Sequence, residues 1–367
     1  MNSLSAEKVR ILYVGSIGPR NTGSFRIAAL KRLGHNVRGL DLNPYLSEGG
    51  PLRSRIRYRA LIGSTVSRYN RDVLAAVADF CPDLVWFEKA SFAWRKTIFQ
   101  IRARGIFTIH QNDDDPFGPR RDPGWRLILE ALPEYDLHLL PRRVSLEEYR
   151  NAGARDVFWF IPAHESTFYP PPESWSDVDR TIDVSFIGFP HDKRPRYMRE
   201  LWERHGIRTL VWGDSRWGRG FPRAKLPAEV RRELYQGGSL TYDQFRETIW
   251  RSRINLGFCS NLNRDEFSGR SFQIPASGGF LLAEDTPGHR EMFTDGQEAV
   301  FFNSIDDCAE KIRRYLPDEE ARLRIAKAGQ LRSAASGYDY DSRVAEVLKY
   351  IRIKERQVIP VHGRISL

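Results

Sequence analysis

Val9-Arg10-Ile11-Leu12-Tyr13-Val14-Gly15 is a short apolar run that stops at a glycine. Such a run reads as a strand buried on both faces of a parallel sheet. A glycine-rich turn follows from Gly15 to Gly23. Phe25, Ala28, Ala29, Leu30 and Leu33 then recur at helical spacing until Gly34 stops the helix. Asn36-Val37-Arg38-Gly39-Leu40 reads as the next strand. Strand, helix and strand in this order form a βαβ unit with a right-handed crossover, which predicts a parallel sheet.

The alternation continues outward. Strands are expected at 83–87, 106–110, 137–140 and 157–160, with helical segments near 73–80 and 98–101. Tyr169-Pro170-Pro171-Pro172-Glu173-Ser174 interrupts the pattern and reads as a stiff linker, a proline hinge between two halves. Ile182-Asp183-Val184-Ser185-Phe186-Ile187-Gly188 restarts it, again as a strand ending in glycine. Further strands fall at 209–213, 254–258, 279–283 and 299–302. Helices are expected at 195–205, 242–252, 268–276, 305–316, 318–332 and 341–355. The expected fold is α/β, with two Rossmann-like doubly wound domains facing a cleft, residues 1–172 and 173–337. Residues 338–367 supply a C-terminal helix and a tail. Ligands of such sheets gather beyond the carboxyl ends of the strands, here in the cleft.

The length, 367 residues, suits two domains. A composition 41% hydrophobic and 28% charged excludes wholesale disorder, and no apolar run approaches the ~18–20 residues of a membrane span. Met1 to Arg10 lacks an apolar signal core. Cys81, Cys259 and Cys308 are too scattered for a disulfide framework or a zinc cluster, so a reduced, cytoplasmic protein is expected. The net charge of +10 is uneven: residues 1–172 carry 25 Lys and Arg against 18 Asp and Glu, and the remainder carries 32 against 29. Arg53, Arg55, Arg57 and Arg59 alternate with Ser54, Ile56 and Tyr58, with Arg68 and Arg71 nearby. This cluster reads either as a solvated helix or loop face, or as a patch for an anionic acceptor or for lipid headgroups at the inner face of a membrane. No stacking motif or recognition fold supports a nucleic-acid partner.

Candidate site residues lie just after strands. Gly15, Gly18 and Gly23 do not follow the Gly-x-Gly-x-x-Gly dinucleotide pattern, which disfavours a dehydrogenase. They form either a tight turn or backbone donors toward a phosphate or an acceptor sugar. His110 ends a predicted strand and is either a core histidine or a donor to a bound sugar. Asp113-Asp114-Asp115 contains an Asp-x-Asp spacing, but loop capping is the favoured reading and no metal site is assigned. One of the three, with Asp114 as the candidate, could act as acid or base toward an acceptor. In the second half, Gly188 followed by Lys193 and Arg194 suits a diphosphate, and Gly213-Asp214 suits a nucleobase or ribose. A helix starting near Ser268 offers free N–H groups, and it ends at Gly278-Gly279, a glycine pair also counted among the candidate nucleotide-sugar contacts. Arg270 in its first turn opposes the helix dipole, a placement an anion would explain.

This stretch resembles the GT-B fold glycosyltransferases, in the spore-maturation (CgeB-like) branch of the glycosyltransferase family 4-like group. The resemblance rests on Gly269-Arg270-Ser271-Phe272-Gln273-Ile274-Pro275-Ala276-Ser277-Gly278-Gly279-Phe280-Leu281-Leu282-Ala283-Glu284, then Thr286, Phe293, Gly296, Glu298 and Phe301-Phe302. Phe186-Ile187-Gly188, Gly213, Pro141-Arg142-Arg143 and Glu148-Tyr149 are similar as well. It implies a hexosyltransferase-like enzyme with no tightly bound cofactor, and a last helix, near 341–355, that crosses back to the first domain. The second domain would hold a nucleoside-diphosphate sugar and the first a glycan, lipid-linked or protein acceptor. It also implies retention of configuration, independence of metal, and His110 facing the donor sugar. Related enzymes carry two acidic residues eight positions apart; here Asp265 and Gln273 stand there, the glutamine replacing the ribose-binding acid. Lys193 and Arg194 match the diphosphate clamp approximately, with Phe189 where a cation is expected. The glutamine keeps open a sugar-nucleotide-binding protein without catalysis, and the two-domain fold itself keeps open a sugar-nucleotide epimerase.

Overall fold

The computed structural model describes residues 8–18, 21–219 and 225–358, with side chains as far as residue 352. Residues 19 and 20 of the predicted glycine-rich turn, and the tail beyond 358, lie outside the described residues. The chain forms two compact units. One comprises the described residues of Met1–Phe117, Arg121–Ile161 and Tyr340–Leu367, and the other Gly118–Arg120 and Pro162–Asp339.

The first unit is built on six parallel strands: β1 (Arg10–Gly15), β2 (Asn36–Asp41), β3 (Leu84–Glu88), β4 (Phe107–Gln111), β5 (Leu137–Leu140) and β6 (Val157–Trp159). Their order is β2-β1-β3-β4-β5-β6, so the chain reverses direction across the sheet between β1 and β3. On one face Leu12, Val14, Val85 and Phe87 meet Val66, Tyr69, Val73 and Val77 of the helix Ser64–Phe80. Those helix positions recur three and four apart, which is why this helix buries one stripe. The helix Tyr340–Val358 packs beside the helix Thr22–Arg32. Phe25 stacks on Tyr340 at 6.0 Å, and Arg32 Nε donates to both carboxylate oxygens of Asp341 at 3.0 and 2.9 Å. The last helix thus belongs to the first unit.

The second unit has five parallel strands: β7 (Ile182–Ile187), β8 (Thr209–Trp212), β9 (Ser252–Gly257), β10 (Leu281–Glu284) and β11 (Val300–Phe302). Their order is β11-β10-β9-β7-β8, with the switch point between β7 and β9. Val184, Phe186, Ile254, Leu256 and Leu282 share one core with Met198 and Leu201 of the helix Arg194–Glu203 and Ile312 of the helix Ile305–Tyr315. The proline segment is part of this unit. Trp250 Nε1 donates to Tyr169 O at 3.2 Å, and the Arg246 guanidinium lies 4.1 Å over the Tyr169 ring. The chain therefore leaves the first unit at Ile161, ahead of the prolines, because aromatic and cation–π contacts hold them to the helix Tyr242–Arg251.

Strands stand within two residues of their expected positions. The helix Ala228–Leu234 is not among the expected elements, since it carries no full apolar stripe, and the arginine cluster, read as a helix or loop face, stands on the helix Gly50–Ala60.

Candidate active site

The carboxyl ends of β7 and β8 meet through two glycines. Gly188 N donates to Trp212 O at 2.9 Å, and Trp217 Nε1 donates to Gly188 O at 2.8 Å. Gly213 has φ of +116°, and a Cβ there would stand 2.8 Å from Gly188 N. Only glycine satisfies both the dihedral and the approach. Asp214 follows and caps the short turn Ser215–Gly218. It accepts from Arg216 N at 2.7 Å and from the Arg216 guanidinium at 2.9 and 3.1 Å. Phe189, where a cation was expected, presents a ring 49% exposed, stacked on His191 at 5.5 Å with Arg216 5.5 Å over it.

Among the described residues, Arg194, Arg270, Lys193 and Arg216 stand at this edge. Arg194 donates to Phe189 O and Phe258 O, both at 3.2 Å, while its buried Nε has no acceptor among the described residues. Burial lowers its pKa, and the nearby Asp192, Asp265 and Glu284 charges act against that. These bonds go to neutral carbonyls, so Arg194 is anchored without the bonds themselves cancelling its charge. Arg270 donates through Nε to Ile187 O at 3.0 Å and through Nη1 to Gln273 Oε1, and its guanidinium lies 4.5 Å over Phe245. Lys193 pairs with Glu284 at 2.5 Å and donates to Asn261 Oδ1 at 3.0 Å. Arg216 pairs with Asp214.

The helix Gly269–Ala276 begins among these groups. Ser268 N donates to Ser271 Oγ at 3.0 Å, and Ser271 Oγ lies 2.7 Å from His289 Nε2. His289 Nδ1 lies 2.6 Å from Glu284 O, which as a carbonyl only accepts, so Nδ1 carries the proton and Nε2 accepts from Ser271. His289 is fully buried, stacked on Phe301 at 5.4 Å, and burial pushes its pKa down to about 4. A neutral imidazole thus sets the start of the helix. The Glu284 carboxylate accepts from Cys259 N at 2.7 Å in addition to Lys193.

Several sequence expectations are corrected here. Gly278 and Gly279 lie at the other end of the helix, ahead of β10 and so at the amino edge of the sheet. Their N–H groups close the helix on Pro275 O and Ile274 O at 2.8 and 3.0 Å, and a Cβ on Gly278 would meet Pro170 at 2.9 Å. Gln273 is 7% exposed and its amide oxygen holds Arg270, which makes it a support for that arginine rather than an open ribose ligand. The Asp265 N–H donates to Ser260 O at 2.9 Å, which fixes the backbone of the loop ahead of this helix and leaves the expected role of its carboxylate as it was.

In the first unit, His110 is enclosed with no exposed surface. It stacks on Tyr135 at 4.9 Å, and its Nδ1 lies 3.1 Å from His138 Nδ1. β4 runs one residue further, to Gln111, which leaves His110 under the sheet's helical layer rather than beyond its edge. Asp114 pairs with Lys89. Gly15 closes β1 against Glu88, whose Cβ would lie 2.7 Å from a Cβ at 15, so this glycine makes room for a side chain. Glu88 pairs with the buried Arg26 at 2.5 Å, and Arg26 pairs with Asp113 at 2.9 Å. Among the described residues no cluster of three or more His, Cys, Asp or Glu is arranged to hold a metal ion. Sequence reading missed His289, Arg216 and the Arg26–Glu88 pair. The signal available was an acid ending each of two buried strands, Glu88 and Glu284.

Residues 194–349 match a family model described as glycosyl transferase-like. No curated protein sequence matches the chain. Among solved structures, the chain is similar to a sucrose-phosphate synthase from Thermosynechococcus elongatus, with a TM-score of 0.68 at 12% identity over 95% of this chain and 100% of that one. It is similar to Anabaena HepE in complex with UDP and glucose, with a TM-score of 0.63 at 11% identity over 94% and 99%. It is also similar to an E. coli trehalose-6-phosphate protein bound with UDP-2-fluoro glucose, with a TM-score of 0.61 at 14% identity over 96% and 100%. The chain has the α/β fold of the GT-B glycosyltransferases, and its residues 194–349 form a glycosyl transferase-like segment.

Proposed function

We propose that the protein transfers a hexose-type sugar from a nucleoside-diphosphate sugar to a glycan, lipid-linked or protein acceptor, with retention of configuration, as a member of the spore-maturation branch. The observation that carries this reading is the cation set at the carboxyl edge of β7, β8 and β9, lying largely inside the segment that matches the glycosyl transferase-like model. Arg194 and Arg270 are fixed by carbonyl oxygens before any ligand arrives. Charge that develops on a leaving diphosphate then meets donors that need no reorganisation, which is commonly the largest catalytic contribution. The N–H groups at the start of the helix Gly269–Ala276 add to that field. In this role fixed guanidinium groups stand where other enzymes use a divalent ion. The exposed Phe189 ring, beside Gly213-Asp214, offers a stacking surface to the nucleobase. HepE bound to UDP and glucose supports the nucleotide-sugar class.

Thermal-shift titration against UDP-, GDP-, ADP- and TDP-sugars tests donor binding. A stabilising shift with one nucleotide class is expected, and a flat response across the panel sinks the reading. Incubation with donor alone separates the rivals, because an epimerase yields a new sugar nucleotide and a catalytically silent binder yields no product. NMR of the transferred sugar's anomeric proton decides retention.

A further inference from the structure

We propose that the outward face of the helix Gly50–Ala60 docks on an anionic lipid bilayer. This helix buries none of its residues, so its sequence is not explained by the core. Its inward side is held by polar bonds. Arg57 Nη2 donates to Tyr45 O at 2.9 Å and Glu48 O at 2.8 Å, the Tyr58 hydroxyl donates to Asp122 at 2.7 Å, and Leu61 just past the helix is buried. At 3.6 residues per turn, Leu52, Arg55, Ile56 and Arg59 fall together on the opposite side, with Arg53 flanking. Leu52 is 70% exposed, Ile56 59%, and Ile62 beyond the helix 67%.

Arg53, Arg55 and Arg59 have no hydrogen-bond or ion-pair partner among the described residues. The helix has no acidic residue, and the acids near it or its flanks are engaged away from the outward arginines: Glu48 with Thr65 and Arg68, Asp122 with Tyr58 on the inward side. The face therefore offers apolar side chains between unpaired guanidinium groups. A soluble polyanion would satisfy the arginines and leave Leu52 and Ile56 in water. A bilayer interface takes both, with phosphates meeting the arginines and the acyl boundary meeting the apolar side chains. No helix among the described residues is long and apolar enough to cross a membrane, so this contact lies on the surface. The inference stands apart from the sugar-transfer reading, because the helix belongs to the first unit and the cation set to the second.

Co-sedimentation of the full chain with phosphatidylcholine vesicles, and with vesicles carrying about 30% phosphatidylglycerol, tests it. Binding to the anionic vesicles alone is expected, weakening with salt. Arg53→Gln, Arg55→Gln and Arg59→Gln together should lower partitioning roughly 100-fold. Leu52→Ser with Ile56→Ser should lower it at least ~10-fold and remove the salt-resistant fraction. Both variants should melt as the parent does, since the altered side chains are exposed. Absence of binding to anionic vesicles overturns the proposal. So does a Leu52/Ile56 variant that binds as the parent, which would leave a purely electrostatic site for an RNA or an acidic protein. Displacement by millimolar glycerol phosphate would assign the arginines to a soluble phosphate and also overturn it.

Discussion

The hydroxyl of Ser271 lies 2.7 Å from Nε2 of His289, and through this pair the short helix Pro287–Met292 after β10 sets the first turn of the helix Gly269–Ala276. Ser268 N, Ser271 Oγ, His289 and Glu284 O form one relay in which each buried donor has an acceptor. Ser271→Ala leaves Nε2 buried without a donor and should cost ~1–3 kcal/mol. Urea denaturation measures this, and donor titration should show weaker binding. Parent-like values in both would show that the relay does not hold the helix.

Acid should destabilise both units. Burial pushes the pKa of His138 and of His289 down to about 4, and that of His110 well below its usual value, with the neighbouring His138 adding to the shift. Between pH 6.5 and 4 the unfolded chain binds protons that the folded chain refuses. The stability these groups contribute is therefore present above the unfolded pKa and lost as pH falls toward the folded one. Each of His138 and His289 accounts for roughly 3 kcal/mol at most. Denaturation midpoints at pH 7, 5.5 and 4.5 should fall steadily, and His289→Gln should flatten the slope for the second unit. A midpoint constant over that range contradicts the burial of these rings.

Arg270→Ala should lower turnover at least ~10-fold if the guanidinium supplies even ~1.4 kcal/mol to the leaving diphosphate. The loss should fall on kcat more than on KM, and Arg270→Lys should recover part of it, since a lysine keeps the charge without the fork. An unchanged kcat removes Arg270 from the chemistry.

Gly213→Ala places a Cβ 2.8 Å from Gly188 N at a φ of +116°. Backbone cannot yield as a flexible side chain would, so a cost of ~1–3 kcal/mol is expected from the dihedral alone, with the clash added. Thermal unfolding reads the loss, and a variant as stable as the parent refutes the back-to-back glycine contact.

His110→Phe keeps the stack on Tyr135 and removes Nε2, which has no partner among the described residues, together with Nδ1, whose partner is His138 Nδ1. Sugar transfer should stay within ~3-fold of the parent rate. A collapse of turnover with stability intact would restore a chemical role to His110.

The strands were legible because a buried parallel strand is written locally, as four to six apolar residues closed by a glycine or a polar residue. The cations of the second unit were legible for the same reason, because they follow their strands directly: Lys193 and Arg194 after Ile187-Gly188, and Arg270 at a helix start. What lay beyond local reading was enclosure. His110 looked like a strand-end residue, but Tyr135 and His138 cover it, and their approach depends on the pairing of β4 with β5.

The sequence by itself determined the βα alternation, its restart at Ile182, and the glycines and cations that end the strands, because hydrophobic period and turn chemistry act over a few residues. Only the tertiary structure decided which edge of a sheet each glycine occupies. Gly213 stands at the carboxyl edge against Gly188, and Gly278 at the amino edge against Pro170. Only it could join Ser271 to His289 and Arg26 to Glu88. Those pairings are set by strand order and by which side chains are shut away from water, and neither is encoded in the spacing of neighbouring residues.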